Sequence, residues 1–164
     1  MKIDFETKSA QETKKIAKLL AQEISRAKLK TKRAVVLALT GDLGSGKTTF
    51  IQGFLRGLGI KKKITSPTFV IMKKFHAPCS MFHDVYHIDC YRLRKPAELI
   101  DLGLKELLGK PQAIILIEWA EKIRKILPKN TIWLEFKHGK KENERVIHFS
   151  SLDVNISSSI IKDI

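Results

Sequence analysis

The chain has 164 residues, 43% of them hydrophobic and 29% charged, a profile that fits one globular domain with a proper core and excludes a disordered or fibrous protein. Its 31 Lys and Arg against 17 Asp and Glu give a formal net charge of +14. Such a field attracts polyanions, whether nucleic acid or an acidic protein surface, but names no function by itself.

The opening MKIDFETKSAQE is polar and acidic, unlike a signal or transit peptide. Within it, Ser9-Ala10-Gln11-Glu12 fits a capping box, and TKKIAKLLAQEISRA behind it sets Ile16, Leu19, Leu20 and Ile24 on one helical face. The basic stretch KLKTKR reads as a solvated linker. AVVLALT, from Ala34 to Thr40, is an apolar run of strand length, as expected of a strand buried on both faces of a parallel sheet. TTFIQGFLRGLG follows as a helix stopped by Gly59. SPTFVIMKKF turns at Pro67 and continues as a strand from about Phe69, with MFHDVYHIDCYRL (Met81 to Leu93) antiparallel to it. KPAELIDLGLKELLG reads as one helix with Pro96 in its first turn. QAIILIEW is a second buried strand, AEKIRKIL a short helix ended by Pro128, and TIWLEFKH with ERVIHFS a closing hairpin across GKKEN. The expected architecture is α/β and three-layered, a P-loop NTPase-like fold with a mainly parallel central sheet and antiparallel hairpins. One domain is expected over residues 1–150, and a C-terminal tail, partly disordered, over 151–164.

No apolar run approaches the roughly 20 residues of a membrane helix. Cys79 and Cys90 belong to no CxxC or His-rich cluster. The expectation is a cytoplasmic chain with reduced thiols and no membrane partner.

Gly41-Asp42-Leu43-Gly44-Ser45-Gly46-Lys47-Thr48 satisfies GxxxxGK[ST] between a buried strand and a helix. Successive N–H groups without side-chain bulk cradle phosphate oxygens at a helix N-terminus, where the dipole also favours negative charge. Lys47 brings a charge to the β and γ phosphates of a nucleotide, and the Thr48 hydroxyl is placed to ligate Mg²⁺. A second magnesium anchor is expected as a carboxylate ending another parallel strand, and Glu118 closes AIILIE. This strand carries one acid where many ATPases carry two. Asp89, in HIDCYR, is the other candidate, either binding magnesium through water or orienting the attacking water.

With these residues assembled, the chain resembles the TsaE (YjeE) family over nearly its whole length. The resemblance rests on GDLGSGKTTF, SPTF at Ser66 to Phe69, YHIDCYRL at Tyr86 to Leu93, DLGL at Asp101 to Leu104 and IEWAE at Ile117 to Glu121, in that order. It implies a P-loop ATPase of bacterial tRNA threonylcarbamoyladenosine synthesis. Such a protein uses ATP and Mg²⁺, docks on TsaD and TsaB, and resets that complex as it modifies adenosine 37 of tRNAs reading ANN codons. It is a weak ATPase alone, with tRNA as a further, indirect partner; whether it also touches tRNA directly is not legible in the sequence. The resemblance further implies a nucleotide-sensing turn at Ser66-Pro67-Thr68, magnesium and hydrolysis chemistry at Asp89 and Glu118 beside Lys47, and Trp119 close to the nucleotide. The implied nucleotide contacts are Asp42, Leu43, Gly44, Ser45, Gly46, Lys47, Thr48, Thr49, Thr68 and Trp119, with Thr48 and Glu118 on the metal. Ser45 stands where the family more often has alanine, the linker after the first helix is longer than usual, and Ser157 to Ile164 is unmatched.

Two other functions compete. A small-molecule kinase would use Arg92 and Arg94 to clamp a transferred phosphate, but no lid or acceptor pocket is legible. A nucleic-acid-binding module would rest on charge alone, and the basic clumps Lys28 to Arg33 and Lys61 to Lys63 are not interleaved with aromatics. A GTPase lacks its NKxD-type base-reading motif.

Overall fold

Val35–Thr40, the apolar run, is β2, the central strand of a seven-stranded sheet. The computed structural model describes residues 2–27, 32–65, 71–78 and 81–150. In chain order the remaining elements are β1 (Lys2–Thr7), α1 (Ala10–Arg26), α2 (Lys47–Gly57), β3 (Met72–His76), β4 (Asp84–Asp89), α3 (Pro96–Asp101), α4 (Leu104–Leu108), β5 (Ala113–Glu118), a 3-10 helix (Ala120–Ile126), β6 (Ile132–His138) and β7 (Arg145–Ser150). The strands lie in the order β1-β7-β6-β2-β5-β4-β3. β2 runs parallel to both β5 and β6, and β4 parallel to β5. The outer pairs β3–β4, β6–β7 and β1–β7 are antiparallel. This is the expected α/β sheet, parallel at its centre and closed by hairpins.

Side chains alternate between the faces of each strand, and both faces of the central strands are covered. Leu37, Leu39, Ile114, Leu116 and Val85 pack under α1 and α2. Val36, Ala38, Ile115, Ile117 and Ile88 pack under Leu99, Leu104, Leu107 and Ile123 of the smaller helices. α1 begins at its expected cap, where Ser9 Oγ accepts from the Glu12 N–H at 3.2 Å. Glu12 returns the bond one residue earlier than a standard box, to Lys8 N at 2.8 Å. α1 and α2 touch so closely that a Cβ at Gly53 would lie 2.4 Å from the Lys14 carbonyl oxygen, so only glycine fits that crossing.

One strand is new to the sequence reading, and three expectations change. Residues 2–7 form an edge strand, because Ile3, Phe5 and Thr7 alternate with charged residues and Phe5 packs edge-on to Phe149 of β7 at 5.2 Å. The segment after Lys95 is two short helices, since Gly103 at φ +90° leaves the helical region between them. AEKIRKIL winds as a 3-10 helix, and Leu127 becomes extended ahead of Pro128. β4 stops at Asp89, whose Oδ1 accepts from Tyr91 N at 2.9 Å and turns the chain. Lys122 fixes that turn by donating to the Tyr91 carbonyl. The start of the strand expected from Phe69, the Ser66-Pro67-Thr68 turn, most of the basic linker and the tail after Ser150 lie outside the described residues. No helix among the described residues is long and apolar enough to cross a membrane.

Candidate nucleotide and magnesium site

β2 delivers the chain to residues 41–46, and α2 starts at Lys47. Gly41 runs beside β6, where a Cβ would fall 2.3 Å from the Phe136 carbonyl oxygen. Gly44 and Gly46 have φ of +74° and +103°, and a Cβ on Gly44 would meet nothing within 4 Å. The space beside Gly44 is therefore open, and a loop without side-chain bulk is what a phosphate cradle needs.

Lys47 is buried inside this loop. Its Nζ donates to the carbonyls of Gly41 at 2.5 Å and Asp42 at 2.8 Å, and approaches Ser45 Oγ at 3.4 Å. The Trp119 ring covers the ammonium at 4.1 Å. Burial pushes the ammonium below its ordinary range, while the negative charges of Glu118, Glu121, Asp89 and Asp42 oppose that shift.

The strand ends supply the acids. In register, Glu118 at the end of β5 pairs with Leu39 of β2 on one side and Asp89 of β4 on the other. Glu118 is 3% exposed and aims at α2, where Thr48 Oγ1 lies 2.9 Å from Oε2 and 3.1 Å from Oε1. Two hard oxygen donors thus meet at the mouth of the cradle, as Mg²⁺ requires of a site that also uses phosphate and water. No larger cluster of His, Cys, Asp and Glu suited to a metal exists among the described residues.

Leu43, Gly44, Ser45, Gly46, Lys47, Thr48, Thr49, Asp89, Glu118 and Trp119 line one cleft of about 350 Å³, joined by Tyr91. Ten of the residues named from sequence are therefore brought together. Asp42 does not line the cleft, and its carbonyl accepts from Lys47. Thr68 lies outside the described residues. Arg92 and Arg94 do not line the cleft, and Arg94 borders a separate hollow with Pro96 and Lys122. A larger cleft of about 640 Å³ lies along β6 and β7 around Trp133, but it holds neither the loop's lysine nor the paired donors. The smaller cleft holds the lysine and the paired oxygen donors together.

Trp119 is the one non-glycine residue with positive φ among those described, at φ 56° and ψ 38°. That conformation costs about 1–2 kcal/mol. It turns β5 abruptly into the 3-10 helix and lays the indole over Lys47, with Tyr91 5.1 Å away.

Three residues escaped the sequence reading as parts of the site. His87 is fully buried and its Nε2 lies 2.8 Å from Glu118 Oε1. Its spacing from Asp89, two residues along one strand face, was the available signal. Tyr91 carried no signal beyond its motif. Arg145 donates through Nη2 to the Gly44 carbonyl at 3.1 Å, a contact across the fold that no local pattern announces. It also borders a groove of about 490 Å³ with Thr7, Lys8, His138 and Gly139.

The family model for the threonylcarbamoyl adenosine biosynthesis protein TsaE matches residues 7–147. The tRNA threonylcarbamoyladenosine biosynthesis protein TsaE of Bacillus subtilis is 39% identical over 150 residues, 92% of this chain and 86% of that protein. The protein of the same name from Haemophilus influenzae is 36% identical over 133 residues, covering 80% of this chain and 82% of its own. The crystal structure of Bacillus subtilis YdiB superposes with a TM-score of 0.73 at 32% identity, over 99% of this chain and 93% of that one.

Proposed function

Since this chain belongs to the TsaE family, which serves tRNA threonylcarbamoyladenosine biosynthesis, we propose that it is a magnesium-dependent ATPase acting on a TsaD–TsaB complex. The observation that carries this reading is the meeting of Thr48 and Glu118, 2.9 Å apart, at the mouth of a glycine cradle that contains Lys47. A phosphate chain alone would need only the cradle and the lysine. The paired oxygens add a cation site, and a nucleoside triphosphate brings the cation with it.

In this reading the N–H groups of the loop and the start of α2 hold the β and γ phosphates. Lys47 exchanges its bonds to the Gly41 and Asp42 carbonyls for phosphate oxygens. Thr48 Oγ1 and Glu118 would hold Mg²⁺, which when bound neutralises charge on the phosphate oxygens. Asp89, opposite Glu118 in the sheet, orients a water molecule towards the γ phosphorus. The new O–P bond forms from that water, the bond from the γ phosphorus to the bridging oxygen breaks, and ADP leaves. The water's proton passes to Asp89 or to solvent. Hydrolysis resets the TsaD–TsaB complex between rounds of threonylcarbamoyl transfer to adenosine 37 of tRNAs reading ANN codons, with tRNA contacted indirectly.

The test is phosphate release by the chain with and without TsaD and TsaB, alongside Lys47→Ala. The expected result is weak turnover alone, more with the complex, and loss of ATP binding or hydrolysis in a folded Lys47→Ala. Unchanged ATP affinity and turnover in that variant would sink the reading.

A further inference from the structure

We propose that His87 is a positioning residue that anchors one oxygen of Glu118 so that the other is the oxygen presented to Mg²⁺. This rests on the magnesium-nucleotide reading above. His87 lies on the face of β4 that packs towards α2, in register with Leu116 of β5 and two residues before Asp89. It is 0% exposed. Its Nε2 sits 2.8 Å from Glu118 Oε1, and the Thr48 hydroxyl lies nearer to Oε2, at 2.9 Å, than to Oε1, at 3.1 Å.

A carboxylate turns easily about its last torsion and exchanges its two oxygens. A donor fixed to Oε1 removes that freedom. The cost of ordering the ligand is met in the fold, before any cation arrives. Mg²⁺ demands near-ideal octahedral geometry, so ligand orientation converts directly into affinity.

The ring's other nitrogen distinguishes this role from simple packing. Nδ1 is buried and has no hydrogen-bond partner among the described residues. A proton there would have no acceptor, so the proton belongs on Nε2, where Glu118 accepts it. A residue kept only to fill space would be better as leucine, which buries no orphaned nitrogen. The ring carries that defect and makes one bond, to the magnesium carboxylate.

The experiment titrates Mg²⁺ into the full chain bound to ADP, for wild type, His87→Leu and His87→Gln. The glutamine amide places a donor where Nε2 stands. His87→Leu is expected to raise the Mg²⁺ midpoint about 10–100-fold, the usual cost of losing an outer partner of a metal ligand. Affinity for ADP without magnesium should stay unchanged, and His87→Gln should recover most of the loss. Nitrogen-15 NMR of the wild-type histidine ring should show the Nε2-protonated tautomer, with a shift on adding Mg-ADP. An unchanged magnesium midpoint in His87→Leu, or a proton on Nδ1, overturns the proposal. If the leucine variant does not fold, the wild-type tautomer and its shift on adding Mg-ADP still decide it. A wild type that binds no Mg-ADP at all brings down the ATPase reading and this inference with it. A wild type that binds Mg-ADP while both variants match it brings down only the role of His87.

Discussion

Thr48 Oγ1 and Glu118 Oε2 stand 2.9 Å apart although 70 positions separate the two residues in the chain. The contact exists because β5 is the parallel neighbour of β2 and ends at the level where β2 gives way to the glycine loop. Glu118 shares its strand-end level with Asp89 as well, but the two acids have different surroundings. Glu118 faces Thr48 and His87, whereas Asp89 receives the Tyr91 N–H.

Those surroundings predict separable defects. Glu118→Gln keeps the side chain's shape and removes its charge, so magnesium-dependent ATP affinity should fall, on the order of tenfold, because Thr48, phosphate and water remain as ligands. Asp89→Asn keeps an oxygen to accept from Tyr91 and so preserves the turn. Its hydrolysis should fall about 10²–10⁴-fold, the usual contribution of a base or water-orienting group, with binding largely spared. Magnesium titrations and single-turnover hydrolysis of both variants check this, and the opposite pattern would exchange the two roles.

Trp119 should report nucleotide binding. Its ring covers the Lys47 ammonium at 4.1 Å, and a phosphate chain that draws the lysine away changes the indole's environment. Mg-ATP should therefore alter the tryptophan emission of the wild type. Trp119→Phe should abolish the signal, because Trp133 stacks on Arg124 at 3.9 Å and lines a different cleft. Full retention of the signal in Trp119→Phe contradicts the placement.

Gly53→Ala tests the close crossing of α1 and α2. Alanine favours a helix by about 1 kcal/mol over glycine. Here its Cβ would meet Lys14 O at 2.4 Å and Lys14 Cα at 2.5 Å, both backbone atoms that cannot step aside. Overpacking of this kind costs about 1–3 kcal/mol, so the net effect should be destabilising. A lower urea midpoint with an unchanged slope is the expected result.

Cys90 provides a pH test of the second core. It is 0% exposed among Leu93, Leu99, Ile117 and Ile123, and burial pushes its thiol up from 9.0 to about 12. In the unfolded chain the thiol ionises near pH 9, while the fold keeps it protonated. Stability from this group is therefore intact below pH 9 and is lost as pH rises above it, at up to about 1.4 kcal/mol per pH unit. Between pH 8 and pH 10 the urea midpoint should fall further for the wild type than for Cys90→Val. In a Cys79→Ser background, native Cys90 should also resist alkylation that consumes it on unfolding.

The linear order of residues determined the parts of this protein whose physics is local. GDLGSGKTT between an apolar run and an amphipathic helix specified a glycine-rich strand-to-helix loop around a lysine, because backbone freedom, dipole and charge all reside within a few positions. Continuous apolar runs at Val35–Thr40 and Ala113–Glu118 specified strands buried on both faces. Glu118 and Asp89 were legible as acids at strand ends. Only the tertiary structure decided which strands are neighbours, and hence that Glu118 meets Thr48 from one side and His87 from another. The six residues of β1 stayed hidden because their charges mask an alternation that matters only once β7 lies alongside. Gly103 split one expected helix and the positive φ of Trp119 ended the expected strand QAIILIEW one residue early, since a backbone reversal depends on what the chain must pack against next. Arg145 reached Gly44 for the same reason, because contacts between distant segments are set by sheet order and not by any spacing along the chain.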